Sequence, residues 1–309
     1  MIMRAIRYHE FGDEQVLRYE TDVPAPVPGE GELLVRVAAA GVNPVDWKIT
    51  AGHLSSMVDI RMPVIPGWDV AGVVEALGPG VEGFAVGDEV YAYDRTAVVH
   101  QGTFAEFTLV PAGFAAPRPR RGTWAQAGGL PLVGLTVLQC FEAVGGVGPA
   151  DTVLIHAAAG GLGSIAVQIA KTRGARVIGT ASPRNHEFLR ELGAEPVEYT
   201  GDLVQNVRDL APEGVTVAAD FVGGEAVDAS FELVRDPSRV VSVTAPEVLG
   251  RGGKFLLTRP DAAGLRELAD LVDAGSLVCH VEQLPLVDAA KAYRESKLGR
   301  TRGKIVLVP

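Results

Sequence analysis

A strand, a turn of small residues and a helix follow one another in the middle of this chain. The apolar run Val153–Ile155 suits a strand that is buried on both faces. After the turn Ala158–Ser164, apolar residues recur at helical spacing through Ile165–Lys171. A second apolar run, Ala175–Ala181, follows a glycine that suits a helix end. This order predicts a β-α-β unit with parallel strands.

The turn has the spacing of a phosphate-binding fingerprint. Ala158, Gly160 and Gly163 match G-x-G-x-x-G, with alanine in the first place. The three positions serve a tight exit from the strand, close backbone approach to a pyrophosphate, and close packing of helix on strand. Gly161 and Leu162 would begin the helix, whose free N–H groups attract phosphate. The turn therefore predicts a dinucleotide site, and a glycine turn with a structural role alone is the alternative.

The end of the second strand indicates which dinucleotide is bound. Sites for NAD usually carry an acidic residue there, which accepts from the ribose 2′-hydroxyl. This chain has Thr180–Arg184 instead, with the Ser182 hydroxyl and the Arg184 guanidinium available to a 2′-phosphate. Tyr199, after the third apparent strand, could close the adenine-ribose end. We therefore predict NADP(H), although Arg184 alone is also explained as an exposed charge at a helix start.

Composition excludes several classes of function. A net charge of −10 among 309 residues, with scattered Lys and Arg, argues against a nucleic-acid partner. No apolar run approaches the length of about 20 residues that crosses a bilayer, and the N-terminus lacks the apolar core of a signal peptide. These features predict a cytoplasmic protein without a membrane partner. Cys140 and Cys279 are far apart in apolar surroundings, which excludes a disulfide framework and predicts two buried thiols.

Two types of pattern divide the chain. Up to about residue 120, short apolar runs alternate with Gly/Pro turns, as in a small antiparallel barrel. After that, strands and helices alternate, which predicts a doubly wound parallel sheet. We expect a catalytic domain over 1–122, a dinucleotide-binding domain over 123–275, and a segment over 276–309 that returns to the first domain. The expected strands are Glu32–Ala38, Val70–Glu75, Glu89–Ala92, Val153–Ala157, Arg176–Ala181, Pro196–Tyr199, Thr216–Val222, Arg239–Val243 and Lys304–Val308, with a late helix over Val287–Ser296.

An ordered set of motifs spans nearly the whole chain. The chain resembles the zinc-independent quinone oxidoreductase branch of the medium-chain dehydrogenase/reductases. The motifs are Gly41–Asp46, Pro66–Asp69 with Ala71–Gly72, Val86–Asp88, Gly102–Glu106, Leu130–Thr136, Ala158–Gly163, Asp220–Gly224 and Arg302–Val306. The resemblance implies an α/β chain with a GroES-like β-barrel-type catalytic domain, a doubly wound Rossmann domain, and assembly as a homodimer.

The same resemblance accounts for the absence of a metal site. Zinc-containing relatives carry a catalytic Cys at the place of Asn43 and a His-Glu pair after the glycine that matches Gly67. Here those places hold Asn43, Trp68 and Asp69, and no Cys cluster for a structural zinc exists. We therefore expect no metal.

The resemblance also implies roles around the cofactor. Asn43 is expected near the nicotinamide amide, as both a catalytic and a cofactor-binding residue. Thr136 is expected along the cofactor cleft. Val222 and Gly223 are expected under the nicotinamide ribose. Lys304 is a candidate phosphate or cofactor contact, as are Arg300 and Arg302, which are equally well explained as surface charges.

The reaction implied is transfer of hydride from NADPH to a quinone or an α,β-unsaturated carbonyl compound. Some relatives have a tyrosine after the Asn-Pro-x-Asp motif, but this chain has none there. Lys48 and His53 are the remaining candidates for electrostatic help and proton supply, with surface positions as the alternative. Trp47 and Trp68 are pocket candidates that could equally belong to the core. An enoyl-type biosynthetic reductase, or a cofactor-binding scaffold or sensor with little turnover, are the competing functions.

Overall fold

The computed structural model describes all 309 residues, which divide into two compact units. The first unit comprises Met1–Leu132 and Arg259–Pro309, and the second comprises Val133–Thr258. The first is dominated by antiparallel strands, whereas the second is a parallel sheet with connecting helices. This is the predicted combination of a β-rich unit with an α/β unit. None of the helices has both the length and the apolar character needed to span a bilayer.

Nine strands and two helices form the N-terminal part of the first unit. In chain order they are β1 (Ile2–Arg7), β2 (Arg18–Pro24), β3 (Glu32–Val42), α1 (Pro44–Thr50), β4 (Asp59–Ile65), β5 (Asp69–Leu77), β6 (Glu89–Tyr93), β7 (Val98–Gln101), β8 (Phe107–Pro111), β9 (Ala115–Pro117) and α2 (Trp124–Gly128).

The second unit alternates strands and helices after an initial helix that begins two residues before it. The elements are α3 (Pro131–Ala143), β10 (Thr152–Ile155), α4 (Gly161–Thr172), β11 (Arg176–Thr180), α5 (His186–Glu191), β12 (Glu195–Val197), α6 (Leu203–Leu210), β13 (Val217–Asp220), α7 (Glu225–Leu233), β14 (Val240–Ser242) and β15 (Lys254–Phe255). The returning part of the first unit adds α8 (Ala262–Asp273), β16 (Val281–Pro285), α9 (Ala289–Leu298) and β17 (Lys304–Val308).

The main sheet of the first unit is organised around β3. Its strand order is β16-β17-β3-β5-β6-β9, and β8 also pairs with β3. The C-terminal strand β17 lies antiparallel to β3, with Val306 opposite Gly41. Tyr293 of α9 is fully buried and packs edge-to-face on Phe104, with ring centroids 6.3 Å apart. The end of the chain therefore completes both the sheet and the core of the first unit.

The observed division differs from the expected boundaries at residues 122 and 275. Both of these positions lie inside the first unit. Trp124 and Ala125 of α2 belong to a hydrophobic cluster with Ala39 and Val306 of the main sheet. The Tyr91 hydroxyl of β6 donates a hydrogen bond to a carbonyl oxygen of α8. These contacts keep α2 and α8 with the first unit.

All strands of the second unit are parallel, in the order β12-β11-β10-β13-β14-β15. The chain first builds outward from β10 through β11 and β12, and then builds on the other side from β13. Leu154 of β10 lies opposite Ile178 of β11 and Ala218 of β13. The strand order therefore reverses beside β10, and in open α/β sheets ligands bind at such a reversal, outside the carboxyl ends of the strands.

Candidate functional site

The exit from β10 is a sharp turn held by the neighbouring strand. Ala157 has a φ of +51°, in the left-handed region, and its N–H donates to the Thr180 hydroxyl at 3.2 Å. The tight exit therefore lies at Ala157, one residue before the position predicted. Ala158 is fully buried instead, and a Cβ at Gly179 would lie 2.8 Å from its methyl carbon. Its role in this structure is to pack against β11.

The two glycines of the turn allow close approach at the start of α4. A Cβ at Gly163 would lie only 2.3 Å from the Ala157 carbonyl oxygen, so no side chain fits there. Gly160 is the N-cap of α4 and has no side chain to cap the first turn. The N–H groups that begin with Gly161 and Leu162 are therefore left to a ligand at the positive end of the helix. This arrangement fits a pyrophosphate.

Three predicted residues follow the ends of two adjacent strands. Ser182 and Arg184 come directly after β11, on a short 3₁₀ turn where Arg184 is exposed. Tyr199 follows β12 and is 55% exposed. The two strands are paired in register, and the Ala181 N–H donates to the Val197 carbonyl oxygen at 2.9 Å. A hydroxyl, a guanidinium and a phenol therefore stand at one edge of the sheet, with no acidic residue between 180 and 184.

A buried carboxylate holds the loop after β13. Asp220 accepts hydrogen bonds from the N–H groups of Val222 and Gly223, at 3.0 and 2.9 Å. It also accepts from the hydroxyls of Ser242 and Thr244, at 2.6 and 3.2 Å. Gly223 has a φ of +84° and the Val222 side chain is 59% exposed. The sequence identified this loop only through its motif and did not identify Asp220 as its anchor, although an acid followed within four residues by two glycines was a visible signal.

Thr136 is 2% exposed in the second unit. Its hydroxyl oxygen lies 2.6 Å from that of Thr258, so the two hydroxyls are hydrogen-bonded to each other. A contact between Thr136 and the cofactor stays a prediction.

In the first unit, Asn43 belongs to a buried polar network. Its backbone N–H donates to Asp46 at 2.7 Å, and its amide nitrogen donates to Asp69 at 2.9 Å. Lys304 donates to the Asn43 amide oxygen and to the Val42 carbonyl oxygen. Lys304 is only 5% exposed and its ammonium bonds within this network, so its expected phosphate or cofactor contact stays a prediction. Both polar ends of Asn43 are also occupied, which leaves its expected nicotinamide contact a prediction.

Burial sets the ionisation behaviour of this network. Burial raises the pKa of Asp46 to about 8 and that of Asp69 to about 6, although Lys304 opposes both shifts. Burial lowers the pKa of Lys304, against the attraction of the two carboxylates. Desolvation therefore works against the charged form of all three side chains, which is typical of buried ion pairs.

Asn43 is one of the three predicted catalytic residues, and the other two lie outside this network. Lys48 is half-buried, with its ammonium 5.5 Å from the centre of the Trp47 ring. His53 is exposed in the turn after α1, where its N–H donates to the Lys48 carbonyl oxygen at 3.0 Å. Neither residue lines the pocket of the first unit described next.

That pocket is a narrow recess that is open to solvent, and its free space of about 10 Å³ is enough for about one water molecule. Its walls include Trp68, Tyr8, Asp46 and Asp94, and the suggested substrate contact of Trp68 stays a prediction. The Tyr8 hydroxyl and one carboxylate oxygen of Asp94 are buried without a hydrogen-bond partner. Burial raises the pKa of Asp94 well above its usual range. Neither residue was predicted from the sequence, although an acid directly after the apolar strand β6 was a visible signal.

The two cysteines do not line this pocket. Cys140 and Cys279 are buried and free, and burial raises the pKa of both thiols. No group of three or more His, Cys, Asp or Glu side chains is arranged to hold a metal ion.

Comparison with known proteins gives consistent matches. The family model for the alcohol dehydrogenase GroES-like domain matches residues 29–120, and the model described as zinc-binding dehydrogenase matches residues 192–307. A chloroplast envelope quinone oxidoreductase homolog of Arabidopsis thaliana is 30% identical, over 100% of this chain and 99% of its own length. An NADPH-dependent alkenal/one oxidoreductase of the same plant is 32% identical, over 99% of this chain and 80% of its own length.

A solved structure extends the likeness to three dimensions. A mycobacterial protein complexed with NADPH superimposes with a TM-score of 0.86 at 32% identity, over 99% of this chain and 100% of that one. The matches cover both units and include the returning C-terminal segment. The chain therefore belongs to the quinone oxidoreductase branch of the medium-chain dehydrogenase/reductases.

Proposed function

We propose that the protein is an NADPH-dependent reductase that transfers hydride to a quinone or an α,β-unsaturated carbonyl compound without zinc. The observation that carries this proposal is the edge of the parallel sheet. There the glycine-lined start of α4 lies beside a strand end that bears Ser182 and Arg184 in place of an acid. The relatives named as quinone and alkenal/one oxidoreductases support the class of acceptor.

The residues of the second unit fit NADP(H) in three groups. The N–H groups from Gly161 to Gly163 would hold the pyrophosphate. Ser182, Arg184 and Tyr199 would hold the 2′-phosphate and its ribose. The loop at Val222 and Gly223, anchored by Asp220, would support the nicotinamide ribose. When bound, the cofactor supplies the hydride.

The protein must then orient the acceptor and stabilise the negative charge that develops on its oxygen. The positions of the zinc ligands in the zinc-containing branch hold Asn43, Trp68 and Asp69 here, and Asn43 and Asp69 are hydrogen-bonded to each other. We therefore expect hydrogen-bond donors of the chain to stabilise the negative charge on the acceptor oxygen.

The test compares two arginine variants. We expect wild-type protein to oxidise NADPH in the presence of 1,4-quinones or enones, to use NADH poorly, and to be unaffected by a chelator. Arg184→Ala should weaken NADP⁺ binding by about ten- to hundredfold in calorimetry and leave NAD⁺ binding unchanged, because a charge-assisted contact is worth about 1.5–3 kcal/mol. Arg190→Ala, which removes an exposed arginine of α5, is the matched control and should bind NADP⁺ normally.

Two results would contradict the assignment. A wild-type preference for NADH would show that the end of β11 does not select the 2′-phosphate. Tight NADP⁺ binding with no turnover on any acceptor would favour the scaffold or sensor.

We also propose a homodimer in the cytoplasm. The family resemblance supports the dimer, and the acidic composition is compatible with a cytoplasmic location. Light scattering of the purified protein and fractionation of the source cells would test these two points.

A further inference from the structure

We propose that a cavity between α2 and the end of α8 binds a small neutral aromatic compound, whose ring contacts the Arg121 guanidinium and the Cys279 thiol. Every residue that lines this cavity belongs to the first unit, and none of them lines the recess at Asp94 or is assigned to the cofactor. The inference therefore goes beyond the proposed function and does not depend on it.

The first step of the argument is the size of the cavity and the character of its walls. Its free space is about 210 Å³. The walls include Ala127, Leu130, Leu277 and Cys279, which are all at most 3% exposed. Val272 of α8 adds a further apolar side chain. An apolar cavity of about 150 Å³ is large enough to bind benzene, so this one has room for a substituted ring.

The second step is that hydrogen bonds hold the walls in place without a ligand. The Arg121 N–H donates to the Asp273 Oδ1 atom at 2.9 Å, which ties the segment before α2 to α8. At the start of α2, the Thr123 hydroxyl accepts from the Gln126 N–H at 3.2 Å. The Gln126 side chain in turn accepts from the Thr123 N–H at 2.8 Å. Walls that are already ordered cost a ligand little to organise.

The third step is that the Arg121 guanidinium at the rim is available to a ligand. The side chain is exposed and forms no ion pair, since the Oδ1 atom of Asp273 is bonded to the Arg121 backbone instead. Its Nη1 atom lies 3.0 Å from the place of a Cβ at Gly275, which also lines the cavity. A guanidinium is attracted to the face of an aromatic ring. Arg121 therefore favours an aromatic ligand over an aliphatic one of the same size.

The fourth step is that the deep end of the cavity favours a neutral ligand. Burial raises the pKa of the Cys279 thiol, although the Lys304 ammonium opposes the shift, so the sulfur keeps its proton. Sulfur makes favourable contacts with aromatic rings. A charged group would lose its hydration among the apolar walls without gaining hydrogen bonds. At the rim, the Asp273 carboxylate beside Arg121 would repel an anion.

The experiment measures binding in the absence of cofactor and acceptor. Toluene and methylcyclohexane have nearly the same shape, but only toluene has an aromatic face. NMR titration of the wild-type protein should show toluene binding at least threefold more tightly, with shifted amide signals in the cavity segments 119–130 and 272–279. Benzoate, which adds a negative charge to the ring, should bind no more tightly than toluene.

Three variants test the lining residues. Arg121→Met keeps the backbone N–H but removes the charge, and should reduce the preference for toluene to less than twofold, because a cation–π contact at an exposed site is worth about two- to fivefold in affinity. Arg120→Met removes an exposed arginine that does not line the cavity, so this matched control should keep the wild-type preference. Ala127→Leu fills part of the free space and should weaken toluene binding at least tenfold.

Several results would overturn the proposal. They are no binding of toluene up to its solubility limit, shifts that map outside the cavity, equal binding of toluene and methylcyclohexane, tighter binding of benzoate, an unchanged preference in Arg121→Met, or wild-type toluene affinity in a folded Ala127→Leu variant. The wild-type comparison and Arg121→Met decide the matter if Ala127→Leu does not fold. Because neither NADPH nor an acceptor is used, a negative result removes only the cavity assignment and leaves the proposed reductase untouched.

Discussion

His156 is a buried ionisable residue immediately after β10. It is 1% exposed, and its backbone N–H donates to the Ala219 carbonyl oxygen of β13. Its Nε2 atom lies 3.0 Å from the Ser230 hydroxyl oxygen, and that hydroxyl donates to the Ala226 carbonyl oxygen. The ring nitrogen must therefore be the donor to Ser230. Burial lowers the pKa of His156 to about 4, although the nearby Asp220 opposes the shift. The imidazole is thus neutral in the fold at pH 7.

This shift predicts a specific loss of stability in acid. An unfolded histidine titrates near pH 6.5, so below that pH the unfolded state takes up a proton that the folded state refuses until about pH 4. The stabilisation is complete above pH 6.5 and is lost as the pH falls through this window. Between pH 7 and pH 5 we expect His156 to account for about 2 kcal/mol of the decrease in unfolding free energy. His156→Gln keeps the donor to Ser230 and should remove that part.

Urea unfolding followed by circular dichroism at the two pH values measures this difference. His186→Gln is the control, because that ring is only half-buried. The same pH dependence in wild type and His156→Gln would show that the ring is not kept neutral by the fold.

Residues were predictable where chemistry depends on local spacing. A glycine at position 163 was predictable because a turn of this type leaves no room for a side chain there, and its part in cofactor binding stays a prediction. The burial of Lys304 was not predictable, because a lysine before an apolar strand is usually a surface charge, and only the pairing of β17 with β3 encloses it. The burial of Asp94 was not predictable either, since the residues that surround it come from chain segments that are distant in sequence.

At the scale of elements, strand and helix positions were largely predictable because each has its own periodicity. The expected strand Lys304–Val308 is observed with those bounds. The strand expected over Thr216–Val222 is shorter, Val217–Asp220. The reason is that the Asp220 side chain takes the N–H groups of Val222 and Gly223 away from the ladder. Sequence patterns do not show such competition between side chain and backbone.

The start of α4 provides a test at this scale. Gly163→Ala would place a methyl group 2.3 Å from the Ala157 carbonyl oxygen and 2.5 Å from the Ala158 Cα, both backbone atoms. The helix must therefore move away from β10, at a cost of about 1–3 kcal/mol. Because the displaced N–H groups would hold the pyrophosphate, NADP⁺ binding should weaken at least tenfold in calorimetry.

Gly148→Ala is a matched control for this substitution. No atom lies within 4 Å of a Cβ at Gly148, so the variant should keep NADP⁺ affinity and lie within about 0.5 kcal/mol of wild-type stability. Wild-type affinity in Gly163→Ala would mean that the cofactor does not depend on the close approach of α4 to β10.

At the scale of the whole molecule, the two types of unit were predictable but their boundaries were not. The first unit is built from two separated segments, Met1–Leu132 and Arg259–Pro309. Alternation of strands and helices continues through α8, so the pattern placed that helix in the second unit. Its true position depends on long-range contacts such as the hydrogen bond from Tyr91 of β6 to the Leu265 carbonyl oxygen. Domain membership of such a helix is a tertiary property that local pattern does not encode.

Lys304 is one of the residues that join the two segments of the first unit. Its ammonium lies 3.8 Å from Asp69 and bonds to Asn43 and Val42 of the N-terminal segment. Lys304→Met would leave the buried Asp69 carboxylate without its cation, which costs about 3–5 kcal/mol. Urea unfolding at pH 8 should show this loss through tryptophan fluorescence, because all three tryptophans lie in the first unit.

The charge of Asp69 makes the prediction dependent on pH. The pKa of Asp69 is about 6 in the wild-type protein, and removing the cation raises it further, so at pH 5 the carboxyl is neutral and needs no partner. The loss in Lys304→Met should therefore be smaller at pH 5 than at pH 8, and Asp69→Asn added to Lys304→Met should restore part of the stability at pH 8. Lys291→Met, which removes an exposed lysine of α9 with a weak partner, should cost less than about 0.5 kcal/mol at either pH. If Lys304→Met lost no more stability than Lys291→Met, the buried ion pair would not be what fastens the last strand to β3.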